Sequence, residues 1–228
     1  MIVFSNAEFE RTIREKLNKT QGNIYEKELE RINDLRFDDE IGDDIKYLKY
    51  CLKLESLSIE LSQNELSVIC DLKQLRSLEL EMCGGTFDCS ILSGFSELQY
   101  LGLFGKLFNP IEIVNFDKLK YCNKLNEIMI YEVTNLDLYE IGEISQLQTL
   151  SLEFIENIDN IDEIKGIKNL KYLDLCDISV NNLDFLECLD RGIYLGLCGI
   201  KSKEKINTGI IGEFINRDTS EMIYPWDN

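Results

Sequence analysis

A short apolar pattern recurs through most of this 228-residue chain and constrains its fold more than any other feature. The pattern places Leu or Ile at the first, fourth and sixth of six residues, with weaker copies at both ends. The copies begin at Ile32, Leu54, Leu75, Leu98, Leu125, Leu147, Leu170 and Gly192. Self-similarity at this spacing indicates a repeat architecture, in which each unit buries its apolar face against its neighbours.

Each copy predicts one short β-strand. The fourth and sixth residues, such as Leu57 and Ile59, alternate with polar residues and therefore point to the same side of a strand. Between copies, apolar residues recur about every third position, which favours tight 3₁₀-like or extended turns over a long α-helix. We therefore expect an α/β solenoid that is curved, with one parallel strand per repeat and about eight repeats.

The segment before the repeats has the pattern of a helical cap. Ser5 and Glu8 have the spacing of a capping box, and Phe9 and Ile13 follow on one helix face. A second short helix is expected to begin at Asn23. We divide the chain into an N-terminal helical cap at 1–31, the repeats at 32–200, and a C-terminal cap and tail at 201–228. In the last segment, Ile210, Ile211, Phe214 and Ile215 are candidate plugs for the core.

The repeats and the cap together resemble a known family. The pattern is similar to leucine-rich repeats, in the short form of about 22 residues found in bacterial proteins of the internalin type. The segment from Phe9 to Leu35, FERTIREKLNKTQGNIYEKELERINDL, resembles the N-terminal cap of such proteins. The resemblance implies the fold and leaves the partner open, because this scaffold serves many partners.

Three stretches depart from the regular repeat. Paired glycines in CGGTFDCS, residues 83–90, predict a flexible loop. Pro110 is expected to open a short helix that buries Ile113, Phe116 and Leu119. Five acids between residues 38 and 44 lack the alternating spacing of a calcium loop, so we expect a solvated turn there.

Composition limits the function classes. The chain has 42 acidic and 24 basic residues, a net charge of −18 and no histidine. The excess of acid argues against nucleic-acid binding, and the missing histidine excludes triads that depend on it. We predict no enzyme activity and no cofactor, although carboxylate chemistry, as in glycoside hydrolysis, remains a minor alternative.

The N-terminus and the cysteines predict the compartment. No signal peptide and no membrane-spanning apolar stretch is evident, so we expect a cytoplasmic protein without membrane contact. Its eight cysteines should then mostly be reduced thiols, and their spacing contains no CxxC pair and predicts no metal site. Cys176 and Cys198 occupy equivalent positions in adjacent repeats and could cross-link under oxidation.

The outward residues of the strands form the candidate binding surface. Positions 3, 5, 7 and 8 of the eight copies carry eleven acids and one base, Arg36, with aromatic residues interleaved. The acids could simply keep the sheet soluble. The alternative that we favour is a site where aromatic anchors and an acidic field bind a basic protein or peptide. The predicted partner-binding residues are Glu60, Glu79, Glu81, Tyr100, Phe104, Glu127, Met129, Tyr131, Glu153, Phe154, Tyr172, Asp174 and Tyr194.

The expected function is therefore a non-enzymatic, monomeric interaction module. A narrower hypothesis is an immunity or inhibitor protein that neutralises a cationic partner through long-range attraction. The alternative class is a surface or secreted adhesin-like leucine-rich repeat protein.

Overall fold

The computed structural model describes residues 1–189 and 192–202. Two α-helices, Ala7–Lys16 (α1) and Glu26–Leu29 (α2), precede the strands. The described strands are β1 (Asp34–Arg36), β2 (Ser56–Glu60), β3 (Ser77–Met82), β4 (Thr86–Asp88), β5 (Tyr100–Gly105), β6 (Glu112–Val114), β7 (Glu127–Asp137), β8 (Thr149–Asp159), β9 (Tyr172–Cys176), β10 (Ser179–Val180), β11 (Tyr194–Cys198) and β12 (Lys201–Ser202).

Eight of these strands form one parallel sheet, which we call the main sheet. Its strand order is β1-β2-β3-β5-β7-β8-β9-β11, so each repeat adds its strand beside the preceding one. The pairing is in register: Leu78 lies beside Leu57 on one side and Leu101 on the other. The predicted solenoid, with one parallel strand in each of about eight repeats, is confirmed.

The returns between the strands are 3₁₀ helices, as the period of about three predicted. They span Gly42–Tyr50, Gln63–Asp71, Cys89–Leu92, Phe116–Tyr121, Ile141–Glu143, Ile161–Gly166 and Asp184–Cys188. Their apolar residues, such as Leu48, Ile69 and Leu119, are fully buried beneath the strand leucines. Adjacent returns come very close at Gly142, where an added Cβ would lie 3.0 Å from the Cα atom of Gly166.

The N-terminal cap is attached through a buried carboxylate. Asn6, and not the predicted Ser5, caps α1, and its Oδ1 accepts a hydrogen bond from the Phe9 amide at 2.9 Å. Ser5 instead donates its hydroxyl and its amide to Asp44, at 2.7 and 2.9 Å. Asp44 is completely buried, so the expectation of a solvated turn is wrong at this residue.

The structure also corrects the expected start of the second cap helix and the expected structure of two irregular segments. Helix α2 follows Tyr25, whose amide donates to Glu28, so Asn23 is not its N-cap. The segment 83–90 is not simply a flexible loop. Its residues Thr86–Asp88 form strand β4, which pairs with β6 and carries the fully buried Phe87. Pro110 opens no helix. Strand β6 follows it, and the 3₁₀ helix begins at Phe116. Ile113, Phe116 and Leu119 are nevertheless buried, as expected.

The remaining boundaries stay predictions. The candidate plugs at 210–215 lie outside the described residues, and so does most of the predicted C-terminal cap. In the part of the chain that is described, no helix has the length and apolar character needed to cross a membrane.

Candidate partner-binding surface

The residues of the main sheet that point away from the core form three columns, which we call the open face. Strand pairing places equivalent residues side by side, so that Tyr100 adjoins Glu127, and Phe104 adjoins Tyr131. From β2 to β11, the columns contain Ser56, Ser77, Tyr100, Glu127, Thr149, Tyr172 and Tyr194; then Ser58, Glu79, Gly102, Met129, Ser151, Asp174 and Gly196; then Glu60, Glu81, Phe104, Tyr131, Glu153, Cys176 and Cys198.

All the predicted site residues except Phe154 belong to these columns. Phe154 occupies the eighth position of its repeat. We expected the residues at this position of every repeat to line the open face, and this is only partly right. The equivalent residues Leu61, Met82 and Glu132 are buried. Glu132 and Phe154 both adopt left-handed backbone conformations, with φ of 54° and 52°, which redirect the side chains partway along β7 and β8. Phe154 nevertheless remains exposed.

We call strands β2 to β5 the first half of the open face and strands β7 to β11 its second half. In the first half, a lysine neutralises part of the negative charge of the glutamates. Lys106 Nζ lies 2.5 Å from Glu60 Oε1 and 3.4 Å from Glu81 Oε1. The two carboxylates accordingly raise the pKa of Lys106, with the hydrogen bond to Glu60 as the largest cause. Lys106 is the ninth residue of its repeat and lies outside the positions considered in the sequence. This half is therefore less acidic than the strand residues alone predict.

Tyr100 and Glu79 form a second contact in the first half. The Tyr100 hydroxyl donates to Glu79 Oε1 at 3.3 Å. Tyr100 is only 8% exposed, and burial, reinforced by Glu79 and Glu127, raises the pKa of its phenol. Its ring therefore contributes to the wall of the open face, and the predicted role of an exposed anchor does not suit it.

In the second half, three carboxylates have no ion-pair partner within the described part of the chain. No Lys or Arg of the described residues forms an ion pair with Glu127, Glu153 or Asp174. Burial raises the pKa of all three groups, and Asp174 and Asp177 raise that of Glu153 further. The Ser151 hydroxyl donates to Glu153 at 3.0 Å and partly offsets this effect. These half-buried acids would be stabilised by an incoming cation.

Aromatic rings accompany these three acids. Tyr131 lies between Phe104 and Phe154, with ring centroids 6.5 and 5.0 Å away, and the Phe154 contact is edge-on. Tyr172 and Tyr194 form a second pair, with their centroids 5.9 Å apart. Both tyrosines of that pair are exposed. The open face thus offers aromatic contact area directly beside carboxylates that no described Lys or Arg pairs with.

The remaining predicted site residue, Met129, is half-buried in the middle column between Gly102 and Ser151.

Sequence reasoning missed an exposed apolar turn after β5. Lys106 and Asn109 pair across it, and the Asn109 amide donates to the Lys106 carbonyl at 2.8 Å. At its tip, Leu107 is 66% exposed and Phe108 is 91% exposed, with Phe108 at φ 66°. A large side chain in this backbone region carries strain, which is found at ligand-contacting sites. The signal in the sequence was the adjacent Leu and Phe before Asn-Pro.

Two cysteines differ from the expectation of reduced thiols. Cys176 and Cys198 are joined as a disulfide, with their Cα atoms 4.6 Å apart on β9 and β11. The other six are free, and Cys51, Cys89 and Cys122 are buried among apolar residues as expected. Burial raises the pKa of Cys51 to about 12 and that of Cys122 to about 11, and it also raises that of Cys89.

The fold is similar to that of several solved leucine-rich repeat proteins. An internalin (inlF) from Listeria monocytogenes matches with a TM-score of 0.71 at 17% identity, over 92% of this chain and 60% of its own. An internalin C2 (inlC2) from the same organism gives a TM-score of 0.60 at 19% identity, over 87% of this chain and 95% of its own. The ectodomain of the Arabidopsis receptor kinase HAESA, bound to a peptide hormone, gives 0.50 at 16% identity, over 68% and 28%.

These likenesses define the class of fold: the chain is an internalin-like leucine-rich repeat solenoid. At such identities they define nothing further, and this chain spans 60% of the length of the inlF chain. No protein-family model and no curated protein matches the sequence. The bacterial origin implied by the resemblance stays a prediction.

Proposed function

We propose that this protein is a non-enzymatic interaction module that binds a basic peptide, or a basic segment of a protein, on the second half of its open face. The observation that carries the proposal is the group formed by Glu127, Glu153 and Asp174, which are half-buried and have no ion-pair partner among the described residues. Removing carboxylates from water is unfavourable unless a cation compensates them.

The neighbouring aromatic residues suit the same partner. Tyr131, Tyr172 and Tyr194 present ring faces and edges beside the acids. Aromatic side chains commonly supply much of the contact energy of a protein interface, and guanidinium or ammonium groups pack favourably on their faces. The solved HAESA ectodomain, which shares the fold, binds a peptide hormone. That likeness supports a peptide ligand and says nothing of its charge.

Charge-neutralising variants test the proposal against a matched control. The probe is a fluorescent twelve-residue peptide of alternating Lys and Arg, with a Gly-Ser peptide of equal length as the uncharged comparison. A triple variant, Glu127→Gln, Glu153→Gln and Asp174→Asn, should reduce binding of the basic peptide by more than about tenfold, because each charged contact is worth about 1 kcal/mol or more. The control triple, Glu143→Gln, Glu163→Gln and Glu187→Gln, changes the net charge equally but in the returns.

The two triple variants separate a local site from a general effect of charge. Retention of full affinity by the control and loss by the open-face variant supports the proposal. Equal weakening of both would assign the binding to overall charge, and undiminished binding by the open-face variant would overturn it. Affinity should also fall as salt is added, since attraction between exposed charges more than about 10 Å apart is largely screened at 0.1 M salt.

A narrower form of the proposal is an immunity or inhibitor protein for a cationic partner. The acidic balance of 42 to 24 residues supports it, because a strong opposite charge accelerates association. In this form the protein is monomeric and cytoplasmic. Co-expression with a toxic basic protein from the same genomic neighbourhood is the direct test, and protection that is lost in the open-face triple variant is the expected result.

One observation favours the alternative of a secreted or surface protein. A disulfide such as Cys176–Cys198 persists mainly in oxidising compartments. Fractionation of the native host, followed by thiol labelling of the recovered protein, separates the two. Recovery outside the cytoplasm with these two cysteines oxidised would support the surface protein, and recovery in the cytoplasm with both reduced would exclude it.

A further inference from the structure

We propose that Cys176 and Cys198, when reduced, form with Asp177 a binding site for a thiophilic divalent cation such as Zn²⁺. The site lies at the edge of the open face, where β9 ends and β11 runs beside it. It does not depend on a peptide partner, although Glu153 and Asp174 lie nearby.

The strand register brings the two sulfur atoms to the same place. Cys176 pairs with Cys198 in the third column, and their Cα atoms are 4.6 Å apart. Cys176 Sγ lies 3.8 Å from Asp177 Oδ2, and the donor atoms of all three residues lie within 4.8 Å of one another. Ligands of one zinc ion stand about 2.0–2.3 Å from the metal, so side-chain rotation alone brings these three into range.

The backbone places the Asp177 carboxylate beside the sulfurs. Asp177 has φ of 49°, and Gly199, its equivalent in the next repeat, has φ of 58°. A Cβ atom at Gly199 would lie 2.0 Å from Asp177 Oδ1, so the carboxylate occupies space that only glycine leaves free. The third donor therefore lies against the backbone of the next repeat, on the side of the two sulfur atoms.

The surrounding charge favours a cation at this place. Glu153 adjoins Cys176 in the register, and Asp174 and Asp177 both act on it electrostatically. Within residues 1–189 and 192–202, no Lys or Arg forms an ion pair with any of these three acids. A divalent cation would compensate the acids and take the place of the two thiol protons, which leave as the thiolates bind.

The donor set selects the type of metal. Two thiolates and one carboxylate suit Zn²⁺ and exclude a preference for Ca²⁺ or Mg²⁺, which take oxygen ligands. Asp177 and Cys198 are exposed, so the fourth coordination position faces solvent and can take a water molecule or a side chain of a partner. In the oxidised pair the sulfur atoms are bonded to each other, and the site requires their reduction.

Spectroscopic titration of the full-length protein tests the site. A phosphine reductant converts the disulfide to two thiols and is itself oxidised to the phosphine oxide, with the oxygen taken from water. We expect the reduced protein to bind one equivalent of Co²⁺ with a thiolate-to-cobalt charge-transfer band, and Zn²⁺ to displace it. Cys176→Ser and Cys198→Ser should each abolish the band. Asp177→Asn should weaken Co²⁺ binding at least about tenfold, since even the loss of an outer-shell partner costs that much.

Matched controls distinguish this site from adventitious binding. Cys83 and Cys188 are exposed thiols elsewhere in the described chain, and Cys83→Ser and Cys188→Ser should leave the band unchanged. The reoxidised wild-type protein should show no band, which tests the site without any substitution that might affect folding. An undiminished band in Cys176→Ser, equal binding by the oxidised protein, or no one-equivalent band in the reduced protein would overturn the proposal.

Discussion

The ammonium group of Lys106 crosses strand β3 to reach Glu60, 46 residues earlier in the chain, and donates to its Oε1 atom at 2.5 Å. This contact makes the two halves of the open face electrostatically different. One half carries its own counter-charge, whereas Glu127, Glu153 and Asp174 in the other half have none among the described residues. This difference is why we propose the later repeats as the site for a basic partner.

Removing this lysine should extend the site for a basic partner. In Lys106→Met, Glu60 and Glu81 lose their cation, and the basic peptide probe should bind about two- to fivefold more tightly, the range that one exposed ion pair contributes. The measurement is fluorescence anisotropy at low salt. Lys120→Met is the matched control because Lys120 pairs with Glu140 and Glu143 in the returns. Equal gains in both variants would contradict a local effect.

Binding of a basic peptide should release protons at acidic pH, in the range where Glu127 titrates. Burial raises the pKa of Glu127 above its ordinary value of 4.5, and a bound cation stabilises the carboxylate and lowers that pKa again. Affinity should therefore rise as the pH rises through the raised pKa and become constant above it. Calorimetry across the acidic range, in two buffers of different ionisation enthalpy at each pH, measures the protons released.

Glu127→Gln identifies the group that titrates. It should reduce the proton release and flatten the lower part of the pH profile, while Glu143→Gln should change neither.

The raised pKa of Glu127 affects folding stability in the opposite direction from peptide binding. The folded state binds more protons than the unfolded state between 4.5 and the raised value, so this residue's contribution to the unfolding free energy falls as the pH rises through that window.

The cap should depend on Asp44. Asp44 accepts hydrogen bonds from the Ser5 amide, the Ser5 hydroxyl and the Asn6 amide. Asp44→Ala leaves these donors without their acceptor and should lower the unfolding free energy by about 2–4 kcal/mol. Denaturant titration measures the change, and Asp43→Ala, an exposed neighbour, should stay within about 0.5 kcal/mol of the wild type. Equal effects of the two substitutions would contradict the anchoring role.

Thiol labelling should follow burial. In the native protein at pH 7.5, Cys83 and Cys188 should react rapidly because both are exposed. Cys51 and Cys122 should react only after unfolding, since burial holds their pKa at about 12 and 11 and excludes the reagent. Mass spectrometry of peptides from the labelled protein identifies the sites. Rapid native labelling of Cys51 would show that the first repeats are less closed than described.

The fold was predictable because the repeat leucines leave few alternatives. A single repeat cannot bury Leu78 and Leu80 by itself, so the spacing alone requires stacked strands. The 3₁₀ returns followed from the same periodicity. The helix start was misplaced by one residue because Ser5 and Asn6 are both good caps. The choice between them depends on Asp44, a contact that no local pattern contains.

The candidate site was harder to predict than the fold, because some of its features depend on contacts that no local sequence pattern contains. Strand alternation gives the direction of each side chain in a column, and it placed Glu127, Tyr131 and Asp174 on one surface. It gives no direction for a long side chain beyond the strand, and so Lys106 was missed. Likewise, the exposed tip at Phe108 depends on a turn whose backbone conformation is unusual for phenylalanine.

The close approach of Gly142 to Gly166 has a mechanical consequence for the open face. At this point on the outer side, backbone meets backbone, so the returns of two repeats are as near to each other as their atoms allow. A solenoid bends according to the difference in repeat spacing between its two sides. A larger residue at Gly142 would act as a wedge, opening the outer side and tightening the bend around Glu127 and Glu153. We therefore expect the curvature of the open face to respond to a substitution on the opposite side of the protein.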